Sequence, residues 1–307
     1  MASIREKHAQ LYTPIYDELM IRSFAEHEQK HKLLSKEIMD STKEYKVSGL
    51  STLGRWVSAS EGATGGYEDP VLDYAKTYTQ EKFWDKIEIS FEAADQDEYA
   101  LLKREGQASG MGIGARDLVE ATMAAHLYNG FSVASPDGQY LFSNSHPKNS
   151  EETGTTYDNL LSGAFSHDKL EDAEAQIANN FFTLKGIPIL PSEDAYIVYP
   201  PALAGTVDRV LNDRATERPD TTQRDFNRYA GRYKQCNWIY LCSQLGGSDT
   251  AWYIIYPRLG YFKIIWNAKP HFTSWIDEDK EFYIFKGRCL FASGIDNWRV
   301  GFASTGL

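Results

Sequence analysis

Apolar positions near the N-terminus recur at the spacing of an α-helix. Successive members are four, three, four, three and four residues apart, which places them on one helical face. The surrounding residues 16–45 are otherwise polar and offer no core of their own. The pattern predicts a helical arm whose stripe contacts a neighbouring copy of the chain. The stripe consists of Met20, Phe24, His27, His31, Leu34 and Ile38.

The following segment, residues 49–92, predicts an extended hairpin with a flexible tip. It opens with a stretch rich in Gly and Ser, and Ile87, Ile89 and Phe91 then alternate as in a strand. A two-stranded hairpin is marginal by itself in water, so it needs a surface to lie on. On a monomeric enzyme, the alternative interpretation, the glycines and the tryptophan would serve no purpose. The tip is therefore expected to contact an adjacent copy through Trp56, Glu61, Gly62, Gly65, Gly66 and Tyr67.

A long helix is predicted from about Asp95 to Tyr128. Its glycines each cost about 1 kcal/mol relative to Ala, which indicates a bend or a close crossing that excludes side chains. One helical face is predicted to carry Met111, Ala115, Leu118, Thr122 and Ala125.

The rest of the chain mixes helices and strands. An acidic helix is predicted at 168–184, a strand at 195–199 and a short helix after Pro200-Pro201. Aromatic-rich strands follow, and N-W-I-Y-L-C and A-W-Y-I-I-Y are predicted to pair across the turn S-Q-L-G-G-S-D-T. Because no βαβ rhythm and no internal repeat is present, the predicted class is α+β.

Composition excludes several classes of protein. The 307 residues are 42% hydrophobic, which suits a folded chain, and no apolar run approaches the ~20 residues of a membrane helix. Three scattered cysteines indicate buried free thiols in a reducing cytoplasm. The net charge of −11, without a strong basic cluster, argues against tight DNA binding. The densest basic stretch, residues 224–234, is interpreted as a solvated loop.

The segment His27-Glu28-Gln29-Lys30-His31 spells H-E-x-x-H, a zinc-hydrolase motif. Both histidines lie on one helical face, as a zinc pair requires. The extended motif fails, however, because Leu34 and Glu37 occupy its Gly and His positions. A zinc hydrolase using His27, Glu28 and His31 therefore stays only a remote alternative.

Other apparent sites also fail. The run Ser166-His167-Asp168 resembles a triad, but triad members converge from separate elements, and Ser166 is better explained as a helix N-cap. The glycines at 106–114 have neither the spacing nor the preceding strand of a dinucleotide loop. The sequence therefore predicts no catalytic residue, no cofactor and no metal site.

The order of these elements resembles the major capsid protein of tailed phages, especially the Mu-like head-subunit group. The likeness runs from about residue 15 to the C-terminus. It is carried by E-G-A-T-G-G-Y-E-D-P, L-F-S-N-S-H-P, N-L-L-S-G-A-F-S, Y-I-V-Y-P-P-A-L, S-D-T-A-W-Y-I-I, K-P-H-F-T-S-W and F-K-G-R-C-L-F-A-S-G-I-D-N-W-R-V-G-F.

The resemblance implies a division into domains. Residues 1–48 would be an N-terminal arm and 49–92 the hairpin called the E-loop. Residues 93–135 and 269–307 would form the P (peripheral) domain around a long spine helix, to which the last strands return. Residues 136–268 would form the A (axial) domain.

The function implied is a structural one. Pentamers and hexamers of the chain would form an icosahedral head enclosing double-stranded DNA without sequence-specific binding, with no enzyme activity and no membrane. Separate scaffolding and portal proteins, and a decoration protein, are the implied partners. The protein would reside in the virion after assembly in the host cytoplasm.

Two questions stay open at this point. An encapsulin-like nanocompartment shares the fold and would hold an enzyme cargo instead of a genome. A full-length chain would need a separate scaffolding protein, because no extended coiled coil precedes the arm, whereas a processed chain would have lost a part that cannot be seen.

Overall fold

Six helices and fifteen strands are present in the part of the chain that the computed structural model describes. That part comprises residues 18–26, 28–51, 54–56, 58, 60–62, 67, 69–95, 104–148, 154–189, 194–212, 215–217 and 224–307. The helices are α1 (residues 18–25), α2 (His31–Leu34), α3 (Phe91–Asp95), α4 (Arg104–Tyr128), α5 (His167–Asn180) and α6 (Ala204–Asn212).

The strands are short except for one long hairpin, β13–β14. They are β1 (Lys36–Met39), β2 (Glu44–Leu50), β3 (Leu72–Thr79), β4 (Glu81–Ser90), β5 (His146–Pro147), β6 (Thr156–Tyr157), β7 (Leu160–Leu161), β8 (Tyr196–Tyr199), β9 (Ala215–Glu217), β10 (Arg224–Phe226), β11 (Lys234–Asn237), β12 (Trp252–Ile255), β13 (Phe262–Asp277), β14 (Phe282–Ile295) and β15 (Gly301–Ser304).

A four-stranded sheet in the order β1-β13-β14-β4 carries the long hairpin. Strand β1 is parallel to β13, and the other pairs are antiparallel. The inner face of this sheet packs on α4, where Met111, Phe272 and Phe285 share a buried cluster. The boundary predicted at 268/269 lies inside β13, because this strand continues through both predicted domains.

A five-stranded sheet in the order β11-β8-β12-β15-β7 holds most of the main core. The strand β15 lies here, beside β12, and not in the sheet against α4. All four residues of β12, Trp252–Ile255, are buried, as a strand covered on both faces must be.

The predicted hairpin between N-W-I-Y-L-C and A-W-Y-I-I-Y is wrong. Strand β11 runs parallel to β8, and the chain turns into a 3₁₀ helix at Ile239–Leu241 before it reaches β12. The order β8-α6-β11 is therefore a single βαβ unit. The sequence around β11 did not show which strand it pairs with, because β11 contributes only one buried residue, Cys236, and therefore has no clear alternation.

The N-terminal arm is not one helix. It breaks between α1 and α2, and the chain becomes strand β1 at Lys36, so Ile38 belongs to a sheet and not to a helical stripe. Pairing with β13 provides β1 with backbone hydrogen bonds that a solvated helix end would lack, and this tertiary contact overrides the helical periodicity.

The long helix is confirmed as α4, Arg104–Tyr128, although its buried face is rotated from the predicted one. Ala115, Leu118, Thr122 and Ala125 are only half-buried. The helix packs against both clusters of the core, so no single stripe describes it. Its fully buried apolar side chains are Ala108, Met111, Val119, Met123, Ala124 and Leu127.

Several local predictions are confirmed. Ser166 caps α5, since its Oγ accepts a hydrogen bond from the backbone N–H of Lys169 at 3.2 Å. Two of the three thiols are buried, and burial raises the pKa of Cys236 to about 12 and that of Cys289 to about 11. Both are poor nucleophiles at neutral pH.

Candidate assembly surfaces

The segment predicted as the E-loop, and called by that name below, contains a two-stranded ribbon of β2 and β3, paired from Glu44 with Thr79 up to Leu50 with Leu72. The paired strands therefore begin before the predicted boundary at residue 49 and end at Thr79. The expectation that Ile87, Ile89 and Phe91 belong to this hairpin is wrong, because β4 pairs with β14 in the four-stranded sheet and Phe91 begins α3. The root of the ribbon packs on the outer face of the four-stranded sheet, where Tyr78 meets Ile265 and Ala292. Further along, the Lys76 ammonium donates to the carbonyl of Ile295 at 2.7 Å. The ribbon is thus anchored to its own subunit along β3, and nearer the tip Lys185 donates to the backbone carbonyl of Asp69 at 2.8 Å.

The tip of the E-loop carries two aromatic side chains without cover from their own subunit. Trp56 is 96% exposed and Tyr67 is 104% exposed. Glu61 and Gly62 lie in an exposed turn, in which Gly62 has a φ of +83°. Gly65 and Gly66 lie outside the described residues. Large aromatic rings in water favour a binding surface, because their burial by a partner is strongly favourable.

The predicted arm stripe, in contrast, is largely covered by its own subunit. Met20 is buried in the cluster beneath α4, with Phe24 half-buried beside it, and Leu34 is buried in the main core. The expectation that Met20 and Leu34 contact a neighbouring copy is therefore corrected. Ile38 is half-buried on the outer sheet face, and His27 lies outside the described residues.

Close packing of helices explains why the arm folds back. A Cβ on Gly112 of α4 would lie 2.2 Å from the Met20 carbonyl oxygen, so α1 crosses α4 with its backbone in contact. The close crossing predicted from the glycines of α4 is confirmed at this position. Gly106, Gly110 and Gly114 have no neighbour within 4 Å of a built Cβ.

His31 holds the arm to α4 through a buried polar contact. Its Nδ1 lies 2.7 Å from the Glu120 carboxylate, which also accepts its backbone N–H at 3.3 Å. Glu37 lies 3.8 Å from Nε2 and accepts a hydrogen bond from Lys269 at 2.8 Å. Sequence periodicity placed His31 on the buried face, but only the fold shows that its partner lies on α4.

This contact also bears on the zinc hypothesis. His31 Nδ1 is bound to Glu120, Glu28 pairs with Lys30 at 2.5 Å, and His27, the other histidine of the motif, lies outside the described residues. Among the described residues, no group of three or more His, Cys, Asp and Glu side chains is arranged to hold a metal ion. In the same part of the chain, no helix is long and apolar enough to cross a membrane.

The stretch L-F-S-N-S-H-P forms a buried polar clamp that the sequence did not reveal. His146 bonds Asp137 at 2.6 Å and stacks on Trp298 with ring centroids 4.6 Å apart. The Asn159 side-chain amide donates to the carbonyls of Leu141 and Trp298 at 2.9 and 3.1 Å. These contacts tie the loop after α4 to the C-terminal strand, so this stretch is structural.

The basic stretch at 224–234 faces the acidic helix α5. Arg228 donates to Glu174 at 2.7 Å, and Arg232 lies 3.1 Å from the same carboxylate. Tyr233 also donates to Glu174, at 2.6 Å, and its burial together with this bond raises the pKa of the phenol. The arginines are half-exposed, so these pairs contribute little stability and mainly fix the position of the loop.

A second exposed surface was missed by sequence reasoning. The E-loop root covers the outer face of the four-stranded sheet near Ala292 and Gly294. At the far end of this face Ile284 is buried, but large side chains beside it are exposed. There Trp84 is 61% exposed and Trp275 is 41% exposed. The alternation in K-F-W-D-K-I-E-I marks a two-faced strand, yet the sequence does not show which strand lies beside it.

The fold is that of capsid-forming proteins. The capsid of bacteriophage PhiM1 is similar to this chain at a TM-score of 0.58 and 12% identity, over 92% of this chain and 88% of that one. The capsid of the native GTA particle is similar at a TM-score of 0.55 and 11% identity, over 91% of this chain and 90% of that one. A virus-like particle from Pyrococcus furiosus is similar at a TM-score of 0.52 and 9% identity, over 95% of this chain and 99% of that one.

Residues 73–303 match the model of the family described as phage capsid protein, and the chain belongs to this family. It is a structural major capsid protein, as the order of its elements indicated. No curated protein has a significant sequence match to the chain.

Proposed function

We propose that this chain assembles through pentamers and hexamers into an icosahedral phage head that encloses double-stranded DNA. The observation that carries the proposal is the E-loop, which holds Trp56 and Tyr67 in water at the end of a ribbon anchored to the sheet. In a shell, the tips of neighbouring copies would bury these rings. Family membership and the fold support the same function.

Within this proposal, the E-loop tip residues Trp56, Glu61, Gly62, Gly65, Gly66 and Tyr67 contact an adjacent copy. The glycines allow the tip to adapt to the small angular differences between rings of five and of six. The division into arm, E-loop, P domain and A domain, and the place of the chain in the Mu-like group, belong to the proposal. So do scaffolding, portal and decoration partners, location in the virion, and assembly in the host cytoplasm.

The acidic balance of the chain suits a DNA container. With a net charge of −11, the wall does not hold phosphate tightly, so a packaged genome remains free to slide. In the densest basic stretch, Arg228 and Arg232 are already paired with Glu174, and Lys234 is paired with Asp194.

The test is the size and content of purified particles. We expect shells of megadalton mass by light scattering and negative-stain microscopy, or pentamers and hexamers in their absence. Particles from phage-producing cells should contain nuclease-protected double-stranded DNA. A monomer under every condition contradicts the proposal, and particles filled with an enzyme cargo instead of DNA identify a nanocompartment of the encapsulin kind.

A further inference from the structure

The far end of the outer sheet face is strongly basic in an acidic chain. Directly opposite residues of an antiparallel pair share a face, and the rows here are Trp84–Arg288–His271 and Lys86–Lys286–Thr273, followed by Glu88–Ile284–Trp275. Lys82 stands opposite Leu290 on the same face. We call this surface the basic face. From Lys82 to the row of Trp275 it carries the four cations Lys82, Lys86, Lys286 and Arg288 and the carboxylate of Glu88, a formal charge of +3 within a chain of −11; Asp277, in the next row, is counted with the turn between β13 and β14.

Two of these cations make no ion pair with any described residue. Arg288 and Lys82 are exposed, whereas Lys86 pairs with Glu88, and the Lys286 ammonium lies 5.9 Å from the centre of the Trp84 ring. Two tryptophans lie among them. Exposed rings beside unpaired cations fit a partner that brings carboxylates and some apolar surface.

An acidic counterpart lies on the same hairpin. The turn between β13 and β14 is D-E-D-K-E, residues 277–281, with a formal charge of −3. We call it the acidic turn. Glu278, Asp279 and Glu281 are exposed. Glu92 of α3 stands next to it, because the N–H of Phe91 donates to the Glu281 carbonyl at 2.9 Å.

The acidic turn begins at the end of the basic face of its own subunit: Asp277 lies on that face, one row beyond Trp275, and Glu278, Asp279 and Glu281 follow the last ladder pair. Its ends are held in the ladder by the pairing of Asp277 with Phe282, and the N–H of Lys280 donates to the Asp277 side chain at 3.2 Å. The turn therefore projects along the strands, beyond the face. The E-loop of the same subunit also runs away from the basic face. From root to tip, Tyr78 contacts Ala292, Lys76 binds the Ile295 carbonyl, and Asp73 accepts a hydrogen bond from Asn297 at 2.9 Å.

We propose that the acidic turn of one copy docks on the basic face of another. The opposite formal charges, +3 and −3, are matched, and both patches sit at the free end of one projecting hairpin. A contact between two different patches of the same chain is heterologous and closes into a ring when copies are arranged around an axis. This inference rests on the proposed shell function and names one contact within it.

A charge swap tests the pairing. The face variant Lys286→Glu with Arg288→Glu should lower the yield of shells by at least about tenfold, because like charges then meet. The turn variant Glu278→Lys with Asp279→Lys should do the same. The combination of all four should restore shells, since attraction returns with its sign reversed. Added salt should weaken the wild-type contact, because the Debye length is only about 8 Å at physiological ionic strength and becomes shorter as salt is added.

Matched variants separate this contact from a general effect of net charge. Lys32→Glu with Arg209→Glu makes the same change in net charge on exposed residues elsewhere and should leave the yield unchanged. A loss equal to that of the face variant would mean that net charge alone matters, which overturns the proposal. Circular dichroism melts of each variant, compared with wild type, report whether the subunit still folds.

A further combination identifies the occupant. The substitutions Glu61→Lys and Asp69→Lys at the E-loop are combined with the face variant. If they restore the yield of shells and the substitutions of the turn variant do not, the E-loop tip is the partner and the proposal is wrong. Wild-type protein prepared in parallel tests the shell function separately, through the formation of wild-type shells. Shells that form normally in the face variant would refute the docking contact and leave the proposed function intact.

Discussion

At the scale of single residues, several buried polar side chains are bound by partners that lie far away in the sequence. The His31–Glu120 pair joins two elements 89 positions apart in sequence, and Asn159 links three backbone segments. Such contacts cannot be predicted from periodicity, because each requires that the partner element be placed first. An unpaired buried polar group costs about 1–3 kcal/mol, so these contacts fix the packing more than they add stability.

His126 of α4 predicts a pH-dependent stability. Burial, and secondarily the charge of Lys76, lower its pKa from 6.5 to about 4, while its Nε2 lies 2.9 Å from the Ser293 hydroxyl. Below pH 6.5 the unfolded chain binds a proton that the folded chain does not. The free energy of unfolding should therefore fall as the pH drops from 6.5 to 4, by roughly 3 kcal/mol in total.

The measurement is urea unfolding of dissociated subunits at several pH values. His126→Gln keeps a hydrogen-bonding side chain but cannot titrate, so its stability should fall less steeply over the same interval. Other groups titrate equally in both proteins, and the difference between the two slopes reports His126. Equal slopes would show that this histidine is not held neutral.

At the scale of elements, predictions succeeded where a local rule decides the structure. The cap at Ser166, the long helix and the strand at 196–199 follow from side-chain chemistry and hydrophobic runs. The arm and β11 were wrong because a neighbouring strand, distant in sequence, provides the hydrogen bonds. Of the candidate surfaces, glycines and a tryptophan revealed the E-loop, whereas the basic face depends on which strand lies beside β4 and β14.

Gly112 predicts how closely α1 and α4 must cross. Gly112→Ala would place a Cβ against the Met20 carbonyl oxygen, 2.2 Å away, and the two backbones would have to separate. We expect a loss of about 1–3 kcal/mol in the free energy of unfolding, as for other overpacked sites. Chemical unfolding of dissociated subunits measures it.

Gly110→Ala is the matched control on the same helix. No atom lies within 4 Å of a Cβ built there, and Gly110 is exposed, so the substitution should stabilise the helix by up to about 1 kcal/mol. Opposite signs at positions two residues apart would locate the crossing. A stable Gly112→Ala protein would mean that α1 does not lie on α4 in the subunit.

At the scale of the whole molecule, the N-terminal region divides into two parts with opposite roles. The arm from Met20 to Leu34 completes the core of its own subunit, while the E-loop leaves Trp56 and Tyr67 outside. The expectation that both segments need a neighbour to cover them therefore fails for the arm, and for the E-loop it stays a prediction that concerns the tip, since the root packs on its own subunit.

The E-loop tip then separates folding from assembly. Trp56→Ala with Tyr67→Ala removes two rings that are 96% and 104% exposed, so the free energy of unfolding of the isolated subunit should change by no more than about 0.5 kcal/mol. Aromatic anchors of an interface are worth about 2–4 kcal/mol each, and every copy in a shell would lose them. Shells should therefore fail to form, as sedimentation or microscopy would show. Tyr140→Ala, which removes a ring 52% exposed elsewhere, should leave assembly intact. Normal shells from the double variant would show that the tip is not an inter-subunit anchor. A destabilised subunit would show that the tip packs against its own subunit.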